Sequence, residues 1–408
     1  MILSQRFWLI ISLILLCFLS LARYERFAGK RNFGDFHVYY VTGERMLAGK
    51  TIYEDNLEEI TPFKYSPLVA SFFAGLALLP EPWAAGIWHL LNLFFLFGSL
   101  YFCLLQLEAA GIEIPRRQWI WLGLLGILGL SPPILNCLNS GQAGFAILFF
   151  FVYGAYLSLD GKRVFAAGAC LALSAMFKFL PLLIVPYLFF RRRFKLLFYF
   201  LLWFAIWHLL PILWLGWTRF GKELSGFLPF LTSTTLDHVS LLDYKNQSVW
   251  SYWYRLLYMD LGILHIRAHP EWLIGCGLTS LCVLYAFILG SARNQNAREH
   301  VIDFALLSIL ILIFNPNAWK HNFVLLIYPY VVLLAFARQA GWKNWLTGLL
   351  ILTTVLFFGS NRSGLGWYLR YDLMMFSVLF IGAYALFVGL VIEKVKRDHN
   401  PSASFPTP

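Results

Sequence analysis

The chain has 408 residues, of which 60% are hydrophobic, 18% aromatic and only 13% charged, with 32 Lys+Arg against 21 Asp+Glu. A soluble domain carries about 25% charged residues, so this composition excludes a soluble globule, a disordered chain and a disulfide-stapled secreted module, and leaves a polytopic membrane protein. The basic excess sits in short clusters beside apolar runs, such as Arg191-Arg192-Arg193 and Lys394, Lys396 and Arg397; this positive-inside pattern points to a lipid bilayer with an anionic surface and excludes nucleic acid as a partner.

The first apolar segment, Phe7 to Leu21, reads as a retained first helix. Ser20-Leu21-Ala22 resembles a signal-peptidase site, so a cleaved signal peptide is the alternative. Either way the chain emerges outside. Further apolar runs lie near 66–79, 83–105, 119–135, 143–158, 164–177, 180–190, 196–217, 273–290, 300–314, 323–337, 345–359 and 372–392. The short run 66–79 opens with Ser66-Pro67 and reads as interfacial or re-entrant. The stretch 164–190 reads as a hairpin turning near Lys178, where Pro181 and an embedded lysine interrupt it.

With those two readings the basic short loops all fall on the cytoplasmic side. The expected fold is all-α: an integral membrane helical bundle of about twelve transmembrane helices with both termini inside. One polytopic domain covers 1–397, and 398–408 reads as a disordered cytoplasmic tail. Left outside are 23–65, 136–142, the turn at Lys178, 218–271, 315–322 and 360–371. Two of these are long, and long loops carry function. They place a concave site on the outer face. No internal repeat is visible. The six cysteines form no C-x-x-C and read as small hydrophobes.

In the first outer loop Phe36, Tyr39, Tyr40, Gly43, Met46 and Leu47 share one face at helical spacing, and Gly49 can end the helix. This predicts a short amphipathic helix lying on the membrane, with Asp35 at its start. Asp35 reads as an N-cap, which aspartate favours, or as a general base, since a helix N-terminus favours a negative carboxylate; the two are compatible. His37 reads as a loop histidine or hydrogen-bond partner. Next come Thr61-Pro62-Phe63-Lys64-Tyr65-Ser66-Pro67 and the polar break Asn136 to Gln142, which is either an Asn/Gly turn or a set of amides facing a sugar or phosphate. Lys178 stands deep in apolar sequence, where insertion costs roughly 2.5–3.5 kcal/mol; it is a functional candidate or a snorkelling lysine. Downstream are Asp237-His238, the run Asp243 to Ser248 with Asn246 and Gln247, the aromatic stretch Trp250 to Tyr254 before Arg255, and Pro316-Asn317-Ala318-Trp319-Lys320-His321. The aromatics suit an interfacial belt or a sugar-stacking surface. No metal motif, Walker loop or nucleophile elbow is present, and one aspartate with nearby bases points to chemistry without a metal or other cofactor.

The ordered set resembles the polyprenol-phosphate-dependent glycosyltransferases of family 87, in the GT-C superfamily of integral membrane enzymes. The matching pieces are Asp35-Phe36-x-Val38-Tyr39 with Leu47-Ala48-Gly49 and Tyr53; Phe63-x-Tyr65-x-Pro67; Gly141-Gln142; Lys178-x-x-Pro181; Asn246-Gln247-Ser248; and Pro316-x-x-Trp319-x-His321. The chain departs from the family at Ser66, Gly144, Phe179 and Asn322, where Pro, Asn, Pro and His are frequent.

The resemblance implies transfer of one sugar, mannose first, from a polyprenyl-phosphate donor to a lipid-linked or envelope glycan acceptor, outside a bacterial cytoplasmic membrane. It carries the catalytic-base role to Asp35. An acceptor hydroxyl deprotonated by Asp35 would attack the anomeric carbon with inversion. The expected phosphate ligands are Lys178, Lys320, His321 and Arg255. Those for sugar or acceptor are His37, Tyr39, Lys64, Tyr65, Gln142, Asn246, Gln247 and Trp319. The rival reading is a lipid or solute transporter or flippase, a class that commonly shows internal repeats.

Overall fold

In a computed structural model of the protein, the described residues are Tyr24, 33–53, 63–233, 238–258, 270–290, 296–361 and 367–398. The expected helix at Phe7–Leu21, the cleavage-like Ser20-Leu21-Ala22, Thr61-Pro62, Asp237 and the tail beyond Asp398 lie outside them. The described residues are 81% helical, with no strand among them.

Among the described residues nine helices precede the bend at Leu210-Pro211: α1 (Asp35–Leu47), α2 (Pro67–Leu76), α3 (Glu81–Ala109), α4 (Arg116–Gly129), α5 (Ser131–Ser140), α6 (Gly144–Leu157), α7 (Val164–Phe177), α8 (Ile184–Phe190) and α9 (Phe194–Leu209). After the bend come α10 (Ile212–Ser233), α11 (His238–Leu242), α12 (Val249–Tyr258), α13 (Pro270–Gly290), α14 (Ala297–Ile313), α15 (Ile327–Gln339), α16 (Trp345–Gly359), α17 (Trp367–Met375) and α18 (Val378–Asp398). Short 3-10 turns at Leu180–Leu183 and Lys320–Leu326 precede α8 and α15.

Among the described residues four helical stretches are long and apolar enough to cross a bilayer: Glu81–Ala109, Glu271–Gly290, Lys320–Gln339 and Val378–Lys396. Two bent pairs bring the number to six if each is one span. Several of the other apolar runs form helices of only 10–17 residues. At 1.5 Å per residue, a 14-residue helix rises about 21 Å against a hydrocarbon core of about 30 Å.

Two expectations change. The stretch 136–142 is not a loop: Asn136–Ser140 are the last turns of α5, which starts with Pro132 and Pro133 in its first turn and ends at Gly141 in the left-handed region. Proline suits a helix start because the first N–H groups have no intrahelical acceptor anyway. The run 196–217 is not one straight helix. It breaks at Leu210-Pro211, where the chain turns by 81°, since proline supplies no N–H and its ring crowds the turn before it. The segment after Lys178 leans on α9 and α14, while α7 packs between α6 and α9.

The centre of the molecule is α14 and α15. Every residue of α14 from His300 to Ile313 is buried, and so is α15 from Ile327 to Ala337. A helix apolar all round belongs inside a bundle. The outer helices instead expose large apolar side chains, including Leu90, Phe94, Phe198, Leu213, Phe287 and Ile351. Water-facing surfaces rarely carry such patches, so these faces meet lipid, and the protein is membrane-embedded.

One charged knot fastens the basic end of the bundle. Asp303 on α14 accepts from Lys394 Nζ on α18 at 2.5 Å, from Arg191 Nη2 after α8 at 3.0 Å and from Tyr187 Oη at 3.1 Å. Both cations also donate to the Ile288 carbonyl near the end of α13. All the members are buried, so each charge keeps its partners in place of water.

Candidate active site

The site is assembled where the start of α1 meets the end of α5. Gly34 caps α1 with φ +59°, and a Cβ there would lie 3.1 Å from the Ser140 carbonyl oxygen. Glycine thus permits both the left-handed turn and the close approach. Asp35 is the first residue of the helix rather than its cap, and no side chain caps α1. Its carboxylate is used across the chain instead: Oδ2 accepts from Gln142 Nε2 at 2.5 Å.

Gln142 is presented by the glycine turn that closes α5. The Gly141 carbonyl is pinned by Trp88 Nε1 of α3 at 2.7 Å. Tyr39, one helical turn after Asp35 on the same face, donates its hydroxyl to Gln142 Oε1 at 3.0 Å. Tyr65 reaches the same oxygen at 3.2 Å, and the two hydroxyls lie 2.8 Å apart. Burial pushes both phenols above their ordinary pKa, so both remain protonated donors. Tyr53 Oη donates to the Tyr65 carbonyl at 2.6 Å. Gly43 lets α1 lie against α2: a Cβ there would sit 2.5 Å from the Phe73 carbonyl oxygen. Of the predicted apolar face, Phe36, Tyr39, Tyr40, Gly43 and Met46 are buried; Leu47 is exposed, at the last position before the cap.

The cations gather on one side of the carboxylate. Lys178 is extended between α7 and the following turn, and its Nζ donates to Asn322 Oδ1 at 2.8 Å. Asn322 Nδ2 in turn donates to the Asn317 carbonyl at 2.9 Å. Lys178 lies within electrostatic reach of both Lys64 and Asp35, and His321 lies within reach of Lys178. Desolvation lowers the Lys64 pKa from its ordinary value, and the charge of Asp35 partly restores it. The exposed Trp319 ring stands 6.3 Å from the His321 ring.

Other residues singled out by the sequence are engaged elsewhere. His37 Nδ1 pairs with Glu81 at 2.7 Å. Lys320 Nζ donates to the Ser360 carbonyl and to Asn361 Oδ1 at 3.1 and 2.9 Å. Asn246 Nδ2 donates to the Ser240 and Pro316 carbonyls, and Gln247 Nε2 to the Tyr244 and Met374 carbonyls. Arg255 donates to the carbonyls of Asp243 and Asn246 and to Ser377 Oγ. Gln247 and Arg255 thereby hold the region around the start of α12 to α17, α18 and the turn between them, while Asn246 ties it to α11 and to Pro316. Their hydrogen bonds go to protein, most of them to backbone.

An apolar cavity of about 800 Å³ opens beside the polar cluster. Met46 of α1, Val69 and Phe72 of α2, Trp88 of α3, Phe177 of α7 and Trp214 of α10 are among its walls. Phe177 joins cavity to cluster: it immediately precedes Lys178, and its ring lies 6.4 Å from the ring of Tyr65, edge-on. Among the described residues, no group of three or more His, Cys, Asp or Glu side chains converges as metal ligands.

The fold and site together define a membrane-embedded helical bundle with a carboxylate and two lysines beside an apolar cavity. The chain belongs to glycosyltransferase family 87, whose model matches residues 63–316, and this family is among the GT-C type membrane glycosyltransferases. The match covers more than half of the chain. It includes Lys64, Tyr65, Gln142 and Lys178 and leaves Asp35, Tyr39 and His321 outside its ends. No curated protein matches the chain.

Asn322, Asn317, Glu81 and Trp88 were not among the site residues expected from the sequence. Asn322 and Asn317 flank the quoted Trp319 to His321, and a polar pair beside an embedded lysine's span is the signal that would have found them. Glu81 and Trp88 act across the fold, and no local pattern marks them.

Proposed function

We propose that the protein transfers a sugar from a polyprenyl phosphate to a hydroxyl of a lipid-linked or envelope glycan on the extracytoplasmic side of the membrane, with inversion, and with Asp35 as general base. Mannose is the first sugar to test. The observation that carries this reading is the convergence of Asp35, Gln142, Lys64 and Lys178 at one end of an apolar cavity.

The chemistry follows from the charges. The donor's phosphodiester carries one negative charge and its leaving phosphate gains a second as the anomeric bond breaks. Lys178 and Lys64 repel each other while no anion lies between them, and a phosphate relieves that repulsion most when its charge is greatest. Such differential stabilisation lowers the barrier. Asp35 takes the acceptor proton as the new glycosidic bond forms, which general bases turn into about 10²–10⁴-fold in rate. The prenyl chain occupies the cavity walled by Phe72, Trp88, Phe177 and Trp214. His321 and Trp319, beyond Lys178, face the phosphate and sugar. Lys320 and Arg255 are assigned no part in phosphate binding on this reading, because each is tied to other segments, Lys320 to Ser360 and Asn361 and Arg255 to Asp243, Asn246 and Ser377.

Membranes containing the protein, incubated with radiolabelled mannosyl-phosphoryl polyprenol and extracted for lipids, should yield a labelled product distinct from the donor. Label that crosses the bilayer still attached to its polyprenyl phosphate would mean transport and overturn the reading.

A further inference from the structure

We propose that Gln142 is a positioning residue for Asp35, held by Tyr39 and Tyr65, rather than a ligand for sugar hydroxyls; this rests on the general-base reading of Asp35. Three hydrogen-bond contacts fix the amide. Tyr39 and Tyr65 touch each other and both touch Gln142 Oε1, at 2.8, 3.0 and 3.2 Å. Two hydroxyl protons serve this triangle. They cannot both lie between the two oxygens, so any arrangement that keeps both inside it gives Oε1 at least one donor. With Oε1 held there, Nε2 points to Asp35 Oδ2 at 2.5 Å. The reversed amide would set its oxygen against a carboxylate oxygen, which is repulsive. The tyrosines and the carboxylate therefore select the same orientation.

The consequence for Asp35 is that its two oxygens differ. Oδ2 is occupied by the amide, and Oδ1 has no hydrogen-bond partner among the described residues. A carboxylate anchored through one oxygen presents the other in a fixed direction, which is what proton abstraction from a hydroxyl requires. Tyr39 and Tyr65 are buried, at 3% and 5% exposure, so they act on the reaction through Gln142. Their rings are locked in turn: Tyr39 packs on Phe73, and the Tyr65 carbonyl accepts from Tyr53. The anchoring thus runs from the α1–α2 contact through two phenols and one amide to the base.

Two measurements test this. The first needs no substrate. In purified protein, carbodiimide coupling of glycinamide to Asp35, followed by peptide mass spectrometry, should quicken severalfold in Gln142→Met and in Tyr39→Phe/Tyr65→Phe, because the carboxyl loses its donor or the donor loses its orientation. An unchanged coupling rate in both variants overturns the proposal whatever the reaction is. The second uses radiolabelled mannosyl-phosphoryl polyprenol, with the arabinofuranosyl donor as a second probe. Gln142→Met should lower kcat about tenfold to a hundredfold, the scale of one hydrogen bond to a charged group, with KM for the donor unchanged. Adding the two phenylalanines to Gln142→Met should cost less than about a further twofold, since coupled residues are not additive. A raised KM at constant kcat, or losses that multiply in the triple variant, makes Gln142 a ligand contact and overturns the proposal alone. Full turnover in Asp35→Asn overturns the general-base reading instead.

Discussion

Lys178 is tethered to Asn322 by a 2.8 Å hydrogen bond from its ammonium to the side-chain oxygen, across 144 positions of sequence. The bond ties the break after α7 to the turn before α15, and it leaves the other ammonium protons for a ligand, because a lysine carries three donors. A lysine set in apolar sequence is thereby held in place by a polar partner.

Replacing Lys178 by Met should raise KM for a polyprenyl-phosphate donor and lower kcat together, by about ten- to a hundredfold in kcat/KM, the range expected for a hydrogen bond to a charged group. Yield and melting temperature should stay near wild type, since the variant removes an embedded charge. Steady-state kinetics and a thermal scan in detergent check this. Wild-type kinetics would remove Lys178 from the phosphate site.

Lys64 makes a pH prediction. Its folded-state pKa is depressed by desolvation, so its ammonium is lost at lower pH than that of an ordinary lysine. If that charge meets the phosphate, kcat/KM should fall on the alkaline side below the usual lysine range, and Lys64→Arg should move the alkaline limb upward because arginine keeps its charge. A limb that stays in place in Lys64→Arg assigns it to another group.

Asp303→Asn should destabilise the fold by about 3–5 kcal/mol, the range for removing one partner of a buried ion pair. It leaves Arg191 and Lys394 without their shared carboxylate. The effect should appear as a lowered melting temperature and poor accumulation, with turnover per folded molecule unchanged. An unaltered melting temperature would contradict the description of this cluster as a fastening of α8, α13, α14 and α18.

Gly34→Ala should impair catalysis more than stability. Alanine at φ +59° is strained by about 1–2 kcal/mol, and its Cβ would press on the Ser140 carbonyl at 3.1 Å. Relief of that contact shifts the start of α1, and with it Asp35, away from Gln142. The measurable outcome is a kcat loss of tenfold or more with a modest drop in melting temperature; unchanged kcat would show that the approach of α1 to α5 has no bearing on the reaction.

How far these features could be read from residues alone depends on their range. The buried face of α1 was legible because Phe36, Tyr39, Tyr40, Gly43 and Met46 follow the helical period, and the left-handed Gly49 after the helix was legible as a stop signal. The 136–142 segment was misread because Asn and Ser serve turns and helix ends alike, while Pro132-Pro133, the actual start signal, lay a few residues upstream. Hydropathy marked apolar runs but not their breaks, so the bend at Leu210-Pro211 was hidden inside one run. Arg255, Asn246 and Gln247 read as ligands because buried polar side chains in a long segment look functional. Their partners Pro316, Met374 and Ser377 lie far along the chain, where no local pattern reveals them. The meeting of Asp35 with Gln142 is likewise tertiary, set by two glycine turns and by Trp88 holding the Gly141 carbonyl.

The most direct measurement is single-turnover transfer by purified Asp35→Asn, in parallel with wild type, from radiolabelled mannosyl- or arabinofuranosyl-phosphoryl polyprenol into extractable glycolipid. Loss of the proton acceptor with donor binding preserved should slow transfer by about a hundredfold or more, in line with the scale of general-base catalysis. Transfer at the wild-type rate from the same bound donor would contradict the account.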